Sequence, residues 1–216
     1  YTFSGYFKDR QRLVSELAKR DDKTWYFVMN DINDACYSRE QSECILSKKG
    51  LKTTGDKEIE VIRWILIDAD PERPAGVSST DEEKAKSKET IKRVYKYLKQ
   101  EGFSDPVVCD SGNGYHLLYS VDMNVDDADY TKKFLQTLDM LFSDEYVKID
   151  TAVFNPARIT KVYGTIARKG ANTPERPHRS SGFVYIPEEI KKNSIHLLKK
   201  VISVFPEKPK PVYRNN

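Results

Sequence analysis

Trp64-Ile65-Leu66-Ile67-Asp68-Ala69-Asp70 carries four apolar residues directly into two aspartates. Consecutive apolar positions rather than an alternation describe a strand covered on both faces, so residues 61–69 read as a central strand. The aspartates stand at i and i+2. On a strand they share one face, with Cα atoms roughly 6.5–7 Å apart. The elements C-terminal to this strand come in a clear order. Residues 71–79 are a loop rich in turn residues. Thr80 with Glu83 forms a capping box for a helix to about residue 100, which Gly102 ends. Residues 106–110 read as a strand, Asn113-Gly114 as a hairpin turn and 115–121 as the return strand. A helix over 126–142 and a last strand over 147–154 complete the series.

The series is β-α-β-β-α-β, the split βαβ order of ferredoxin-like and RRM-like cores, and it predicts an α+β fold. In that topology the first strand is central and antiparallel to the third and fourth. Its end therefore meets the beginnings of both. Asp68 and Asp70 lie at that end, His116 opens the third strand, and Asp150 lies early in the fourth, in Val147-Lys148-Ile149-Asp150-Thr151. Carboxylates gathered with a histidine suit two-metal phosphoryl transfer, where paired acids ligate ions roughly 3.5–4 Å apart. An isolated pair of this spacing is common where a strand runs into a polar turn. The third acid, delivered by topology, is what singles this pair out.

Around this core the pattern predicts an N-terminal α/β unit: an amphipathic helix over 7–20, with Phe7, Leu13, Val14, Leu17 and Ala18 on one side, and a strand over 25–29. Residues 31–60 are mixed, with a helix near 39–48. A C-terminal helix is expected over 187–204. The organisation expected is one catalytic domain, 1–204, and a tail, 205–216, whose Pro206, Pro209 and Pro211 read as a linker toward another module.

The 216 residues balance 36 Lys and Arg against 33 Asp and Glu, a formal charge of +3, so any case for nucleic acid rests on local patches. Three cysteines, Cys36, Cys44 and Cys109, form no CxxC pair; neither a disulfide framework nor a zinc set is expected, and a reduced, cytoplasmic setting is favoured. No apolar stretch approaches the ~20 residues of a membrane span. Two further motifs bear on chemistry. Ser111-Gly112-Asn113-Gly114-Tyr115-His116 is a tight turn flanked by a hydroxyl and an imidazole, groups that donate well to phosphate; Ser111, Asn113 and His116 are its candidates. Arg158 and Lys161 come after the last acidic strand three residues apart, as a solvated basic face or as neutralisers of a triphosphate. Beyond them Arg168, Lys169, Arg176 and Arg179, with Tyr163, are candidates to line a nucleic-acid groove.

With these residues in view the chain resembles the archaeo-eukaryotic primase superfamily, and more narrowly the primase-polymerase domains of bacterial mobile elements, phages and plasmids, CRISPR-associated ones included. Residues 26–30, 63–80, 111–119 and 147–179 carry the likeness, most of 1–185. The resemblance implies that Asp68, Asp70 and Asp150 bind two Mg²⁺ or Mn²⁺ ions and that His116, Arg158 and Lys161 hold the incoming triphosphate. It further implies DNA primase and polymerase activity on a single-stranded DNA template with a primer strand and NTP or dNTP, beside a fused or associated helicase or other replication or CRISPR module. One departure is that Ser111 precedes His116 by five residues rather than two. Two other readings share the topology. A palm-type nucleotide cyclase would also use paired acids, but the basic stretch from Arg158 onward argues against it. A non-catalytic RRM-like nucleic-acid-binding sheet would show strand aromatics where this chain has carboxylates.

Overall fold

The computed structural model describes residues 2–205, so the expected linker over 205–216 lies, but for Phe205, outside the described residues. The N-terminal part is built of short pieces. β1 (Phe3–Ser4) is followed by α1 (Arg10–Ala18), opened by Asp9, whose carboxylate accepts from the amides of Gln11 and Arg12 at 2.8 and 3.1 Å. No residue of α1 is buried, so its apolar side packs less tightly than its pattern suggests. β2 (Tyr26–Val28) and β3 (Asp31–Ile32) come next. The helix expected near 39–48 is absent. Glu43 adopts φ 54°, its amide bonds Tyr6 O, and the chain continues into β4 (Leu46–Ser47), paired with β1. Local tertiary hydrogen bonds override helical propensity there.

The central series is present in the expected order. β5 (Ile59–Pro71) leads through a loop to α2 (Asp81–Gln100), then β6 (Val107–Asp110), β7 (Tyr115–Met123), α3 (Ala128–Phe142) and β8 (Val147–Ile149). The capping box forms: Thr80 Oγ1 accepts from Glu83 N at 3.2 Å and Glu83 Oε2 accepts from Thr80 N at 2.8 Å. β5 pairs antiparallel with β7 along its length, with β8 at its end and with β3 at its start, and β6 pairs with β7 on the far side. β5 is thus the central strand. Ile65 and Ile67 are buried against α2 and α3, which contribute Ile91, Val94, Leu98, Phe134, Leu135 and Leu138. Leu66, on the opposite face with Asp68, is buried as well. Burial of such side chains is worth roughly 1.5–3 kcal/mol each.

Three boundaries depart from the pattern. The last strand ends at Ile149 rather than 154, because Asp150 caps a 3₁₀ turn, Thr151–Phe154, by accepting from Ala152 N at 2.8 Å. The turn after β6 spans 111–114, and its left-handed residue is Gly112 (φ 92°) rather than Asn113 or Gly114. After the core come β9 (Ile159–Lys161), which pairs with β2, then β10 (Ile166–Ala167), β11 (Arg179–Ser180) and β12 (Gly182–Tyr185), which extends the main sheet beyond β6. The C-terminal helix α4 is only Ile195–Ile202. Residues before it do not join the helix: Asn193 is committed to Ser104 N, at 2.8 Å, and to Ser120 O, at 3.0 Å. Among the described residues no helix is long and apolar enough to cross a membrane, and all three cysteines are free.

Candidate active site

Register brings the predicted residues to one end of β5. Asp68 pairs with His116 across β5 and β7, and His116 in turn pairs with Cys109 of β6. Asp70 pairs with Lys148 of β8, and the backbone amide of Asp150 donates to Asp68 O at 2.9 Å. Sheet registry, with that one bond to Asp150, therefore brings three segments distant in sequence to one place. Glycine keeps the turn beside them close-packed. A Cβ on Gly114 would lie 2.6 Å from Ala69 O, and one on Gly112 would lie 2.5 Å from Ala167 Cβ.

The two strand carboxylates are pushed in opposite directions. For Asp68, burial works to raise its pKa, but the adjoining His116, and after it Arg73 and Arg158, outweigh burial and hold the carboxyl below its usual range. For Asp70, burial and then the charge of Asp68 raise it, and the Arg73 guanidinium offsets this only in part. Like charges on one strand face thus oppose each other, the condition that a bound cation relieves. Asp70 Oδ1 accepts from Arg73 at 2.8 Å, and the Arg73 side chain, 5% exposed, also donates to Pro71 O and Val77 O. Asp70, Arg73, Asp150 and Lys169 line an open cleft of about 520 Å³.

Basic side chains adjoin these acids. Lys161 is buried on β9, with its ammonium 4.8 Å from the Tyr26 ring and 3.4 Å from its hydroxyl. Burial lowers its pKa, opposed by the charge of Asp68. Arg158 lies close enough to lower Asp68, and its buried Nε has no hydrogen-bond partner. Lys169 bears on both Asp70 and Lys161.

His116 is 5% exposed, and both its ring nitrogens face protein groups: Nε2 lies 3.4 Å from Asp68 Oδ1 and Nδ1 lies 2.7 Å from the Tyr163 hydroxyl. The remaining candidates make contacts of their own. Ser111 Oγ accepts from Gly114 N at 3.0 Å and closes the turn. Asn113 Oδ1 accepts from Ser79 N at 3.0 Å and anchors the loop before α2. Arg168 donates to Lys23 O. Arg179 binds Ser79 O and Asp81, and Arg176 grips Glu83 with two bonds of 2.8 Å. Arg73 was not among the residues its sequence pattern singles out. Its signal is an arginine three residues past Asp70 in a proline-flanked loop, Asp70-Pro71-Glu72-Arg73-Pro74.

The donor chemistry of Asp68 and Asp70 fits hard divalent cations, which take oxygen ligands. Asp150 adjoins them through its backbone, while its Oδ1 is spent on the cap of the 3₁₀ turn. Among the described residues no three His, Cys, Asp or Glu side chains are gathered tightly enough to hold one ion as they stand.

No protein-family model matches the chain, and no curated protein matches it in sequence. Among solved structures it is similar to the AEP domain of the primase-polymerase of cyanophage S-2L, at 12% identity and a TM-score of 0.44, covering 90% of this chain and 98% of that one. A likeness this distant is silent on chemistry, which has to come from the side chains.

Proposed function

We propose that the chain is a template-dependent nucleotidyltransferase, a DNA primase-polymerase built on an RRM-like βαββαβ core. One observation carries the reading: two partly buried carboxylates on one strand face, Asp68 and Asp70, are attended by three basic side chains, Arg158, Lys161 and Lys169, that no ion pair claims among the described residues. Acids beside unclaimed cations suit a ligand that brings both a metal and phosphates. Mg²⁺ or Mn²⁺ held by Asp68 and Asp70, with Asp150 beside them, would acidify the attacking 3′-hydroxyl and neutralise charge on the phosphates. The chain's own residues do the rest. Lys161 and Arg158 hold the triphosphate, Lys169 closes the cleft on the Asp70 side, Arg73 holds Asp70 in place, and His116 keeps Asp68 ionised. For chain initiation a second nucleotide takes the place of the primer end, and single-stranded DNA supplies the template.

The test is synthesis on a single-stranded template, with and without primer, comparing dNTP and NTP in Mg²⁺ and Mn²⁺. Metal-dependent extension that Asp68→Asn abolishes is expected. Absence of template-directed product under every combination overturns the reading, and a cyclic nucleotide product would point to the cyclase topology instead.

A further inference from the structure

We propose that the open cleft beside Asp70 takes the end of the strand that carries the attacking 3′-hydroxyl, and that Lys148 holds a phosphate of that strand. The inference rests on the function proposed above and gives it a second ligand subsite. In Val147-Lys148-Ile149 the two apolar residues are buried in the core. Successive side chains on a strand point to opposite faces, so Lys148 stands on the other face, exposed. There the β5–β8 register sets it opposite Asp70. A lysine directly across from an aspartate on antiparallel strands ordinarily pairs with it. Here Asp70 is already taken: its Oδ1 accepts from Arg73, whose guanidinium is fixed in turn by Pro71 O. Lys148 forms no ion pair among the described residues. With Lys169 it lines the cleft of about 520 Å³ that Asp70 and Asp150 border. Ligand pockets run to roughly 300–1,000 Å³, so the cleft has room for a nucleotide.

The cations around the two strand acids fall on two sides. Arg158 and Lys161 bear on Asp68, and neither borders the Asp70 cleft; Arg158 lines a different cavity. Lys148 and Lys169 border the cleft on the Asp70 side. Phosphoryl transfer is roughly in line, with the attacking and leaving oxygens on opposite sides of the phosphorus. The 3′-oxygen gives its proton to solvent and bonds to the α-phosphorus, while the bond to the bridging oxygen breaks and pyrophosphate leaves with its electrons. Acids flanked by cations on two sides match that layout. With the triphosphate on Arg158 and Lys161, the strand end falls to the side of Lys148. An ammonium meets a phosphate as a point charge on a flexible stem. That suits a strand that must step by one nucleotide after each addition.

The experiment is fluorescence anisotropy of the full chain with a labelled DNA hairpin bearing a recessed 3′ end. Beside it runs the same hairpin with neutral methylphosphonates at the last two phosphates of that end. No nucleotide is added, so nothing is extended. The parent should bind the charged hairpin about 3- to 10-fold more tightly, the range for one partly exposed contact to a charge. Lys148→Met should abolish the difference and Lys148→Arg should keep it. Affinity of Lys148→Met for a non-hydrolysable triphosphate analogue should match that of the parent. A parent indifferent to the neutralised phosphates overturns the proposal, as does a Lys148→Met variant that still tells the hairpins apart. A loss of triphosphate affinity as large as the hairpin loss puts Lys148 on the incoming nucleotide, against the proposal. The synthesis assay above is scored separately. Template-directed product together with any of those three results rejects this inference and keeps the functional reading. No product rejects the reading, while the hairpins still decide whether Lys148 meets strand phosphates.

Discussion

Two groups of basic side chains come after the acidic turn at Asp150, and they are used in opposite ways. Arg158, Lys161 and Lys169 lie around Asp68 and Asp70 without an ion pair among the described residues. Arg176 and Arg179, a few residues on, are committed: Arg176 forks onto Glu83 and Arg179 joins Asp81 to Ser79 O. The first group is charge without a carboxylate partner, available to the ligand proposed above. The second fastens the segment before β12 to the start of α2, where Asp81, Glu82 and Glu83 crowd the first turn. Residue type and spacing are alike in both. Only what each cation touches separates a binding function from a structural one.

The largest effect should come from removing what the first group attends. Asp68→Asn keeps the shape of the side chain and deletes its charge. Primer extension should fall by about 10²–10³-fold or more, as when a preorganised electrostatic element is lost. Circular dichroism should show the fold intact; Mn²⁺ should raise the Tm of the parent and not that of the variant. A variant that keeps full activity removes Asp68 from the chemistry and leaves the nearby cations with no purpose in common.

Next come the cations of the first group. Lys161→Met and Arg158→Met should each weaken triphosphate binding by roughly 1.5–3 kcal/mol, the range for hydrogen bonds to charged groups. Binding of a nucleoside monophosphate should change far less, and Tm little. Because burial holds Lys161 below the ordinary lysine range, its share of the affinity fades at a lower pH than an exposed lysine's would. Titrating a non-hydrolysable triphosphate analogue checks both points. Equal losses for mono- and triphosphate would erase the distinction between the two groups.

Glu83→Ala should act on stability instead. It removes the return half of the capping box and the partner of Arg176, at a cost of roughly 1–2 kcal/mol, or about 2–8 °C in Tm. The hydrogen bond from Arg176 is the chief cause of the lowered pKa of Glu83, followed on the same side by the Thr80 amide. A carboxylate with a depressed folded pKa stabilises above its unfolded value and loses that contribution as pH falls through the folded one. The difference between parent and Glu83→Ala should therefore narrow as pH drops below about 4.5, and triphosphate affinity should not change. A loss of affinity would make Arg176 part of the site.

Legibility tracked sequence distance. β5, α2, β7 and α3 were readable because period, capping box and turn residues are local signals, and antiparallel order then carried Asp68, His116 and Asp150 together. Short-range signals failed where the deciding partner is remote. Glu43 turns away from helix to meet Tyr6, Asn193 keeps out of α4 to serve Ser104 and Ser120, and Asp150 leaves its strand to cap a turn. The same holds in the site. Arg73 reaches Asp70 and Tyr163 reaches His116 through contacts no spacing announces, and the oxygens of Ser111 and Asn113 accept from the amides of Gly114 and Ser79.

The smallest effect expected is also the sharpest test of the comparison. Arg179 belongs by sequence to the basic stretch that suggests a nucleic-acid groove, yet its side chain is 13% exposed and its guanidinium is occupied by Ser79 O and Asp81. A phosphate contact would require breaking both bonds. Asp81 is 92% exposed, so that ion pair adds little to stability in water. Arg179→Ala should therefore cost little stability and leave affinity for single-stranded DNA unchanged across salt concentrations. Each cation that neutralises a phosphate on a single strand contributes about 0.7 to the slope of log K against log salt. Lys169→Ala, from the first group, should reduce that slope by about this amount. Fluorescence anisotropy of a labelled oligonucleotide at several salt concentrations measures both. If Arg179→Ala lowers the slope and Lys169→Ala does not, the groups have been assigned the wrong way round, and the nucleic acid runs over α2 rather than past the Asp70 cleft.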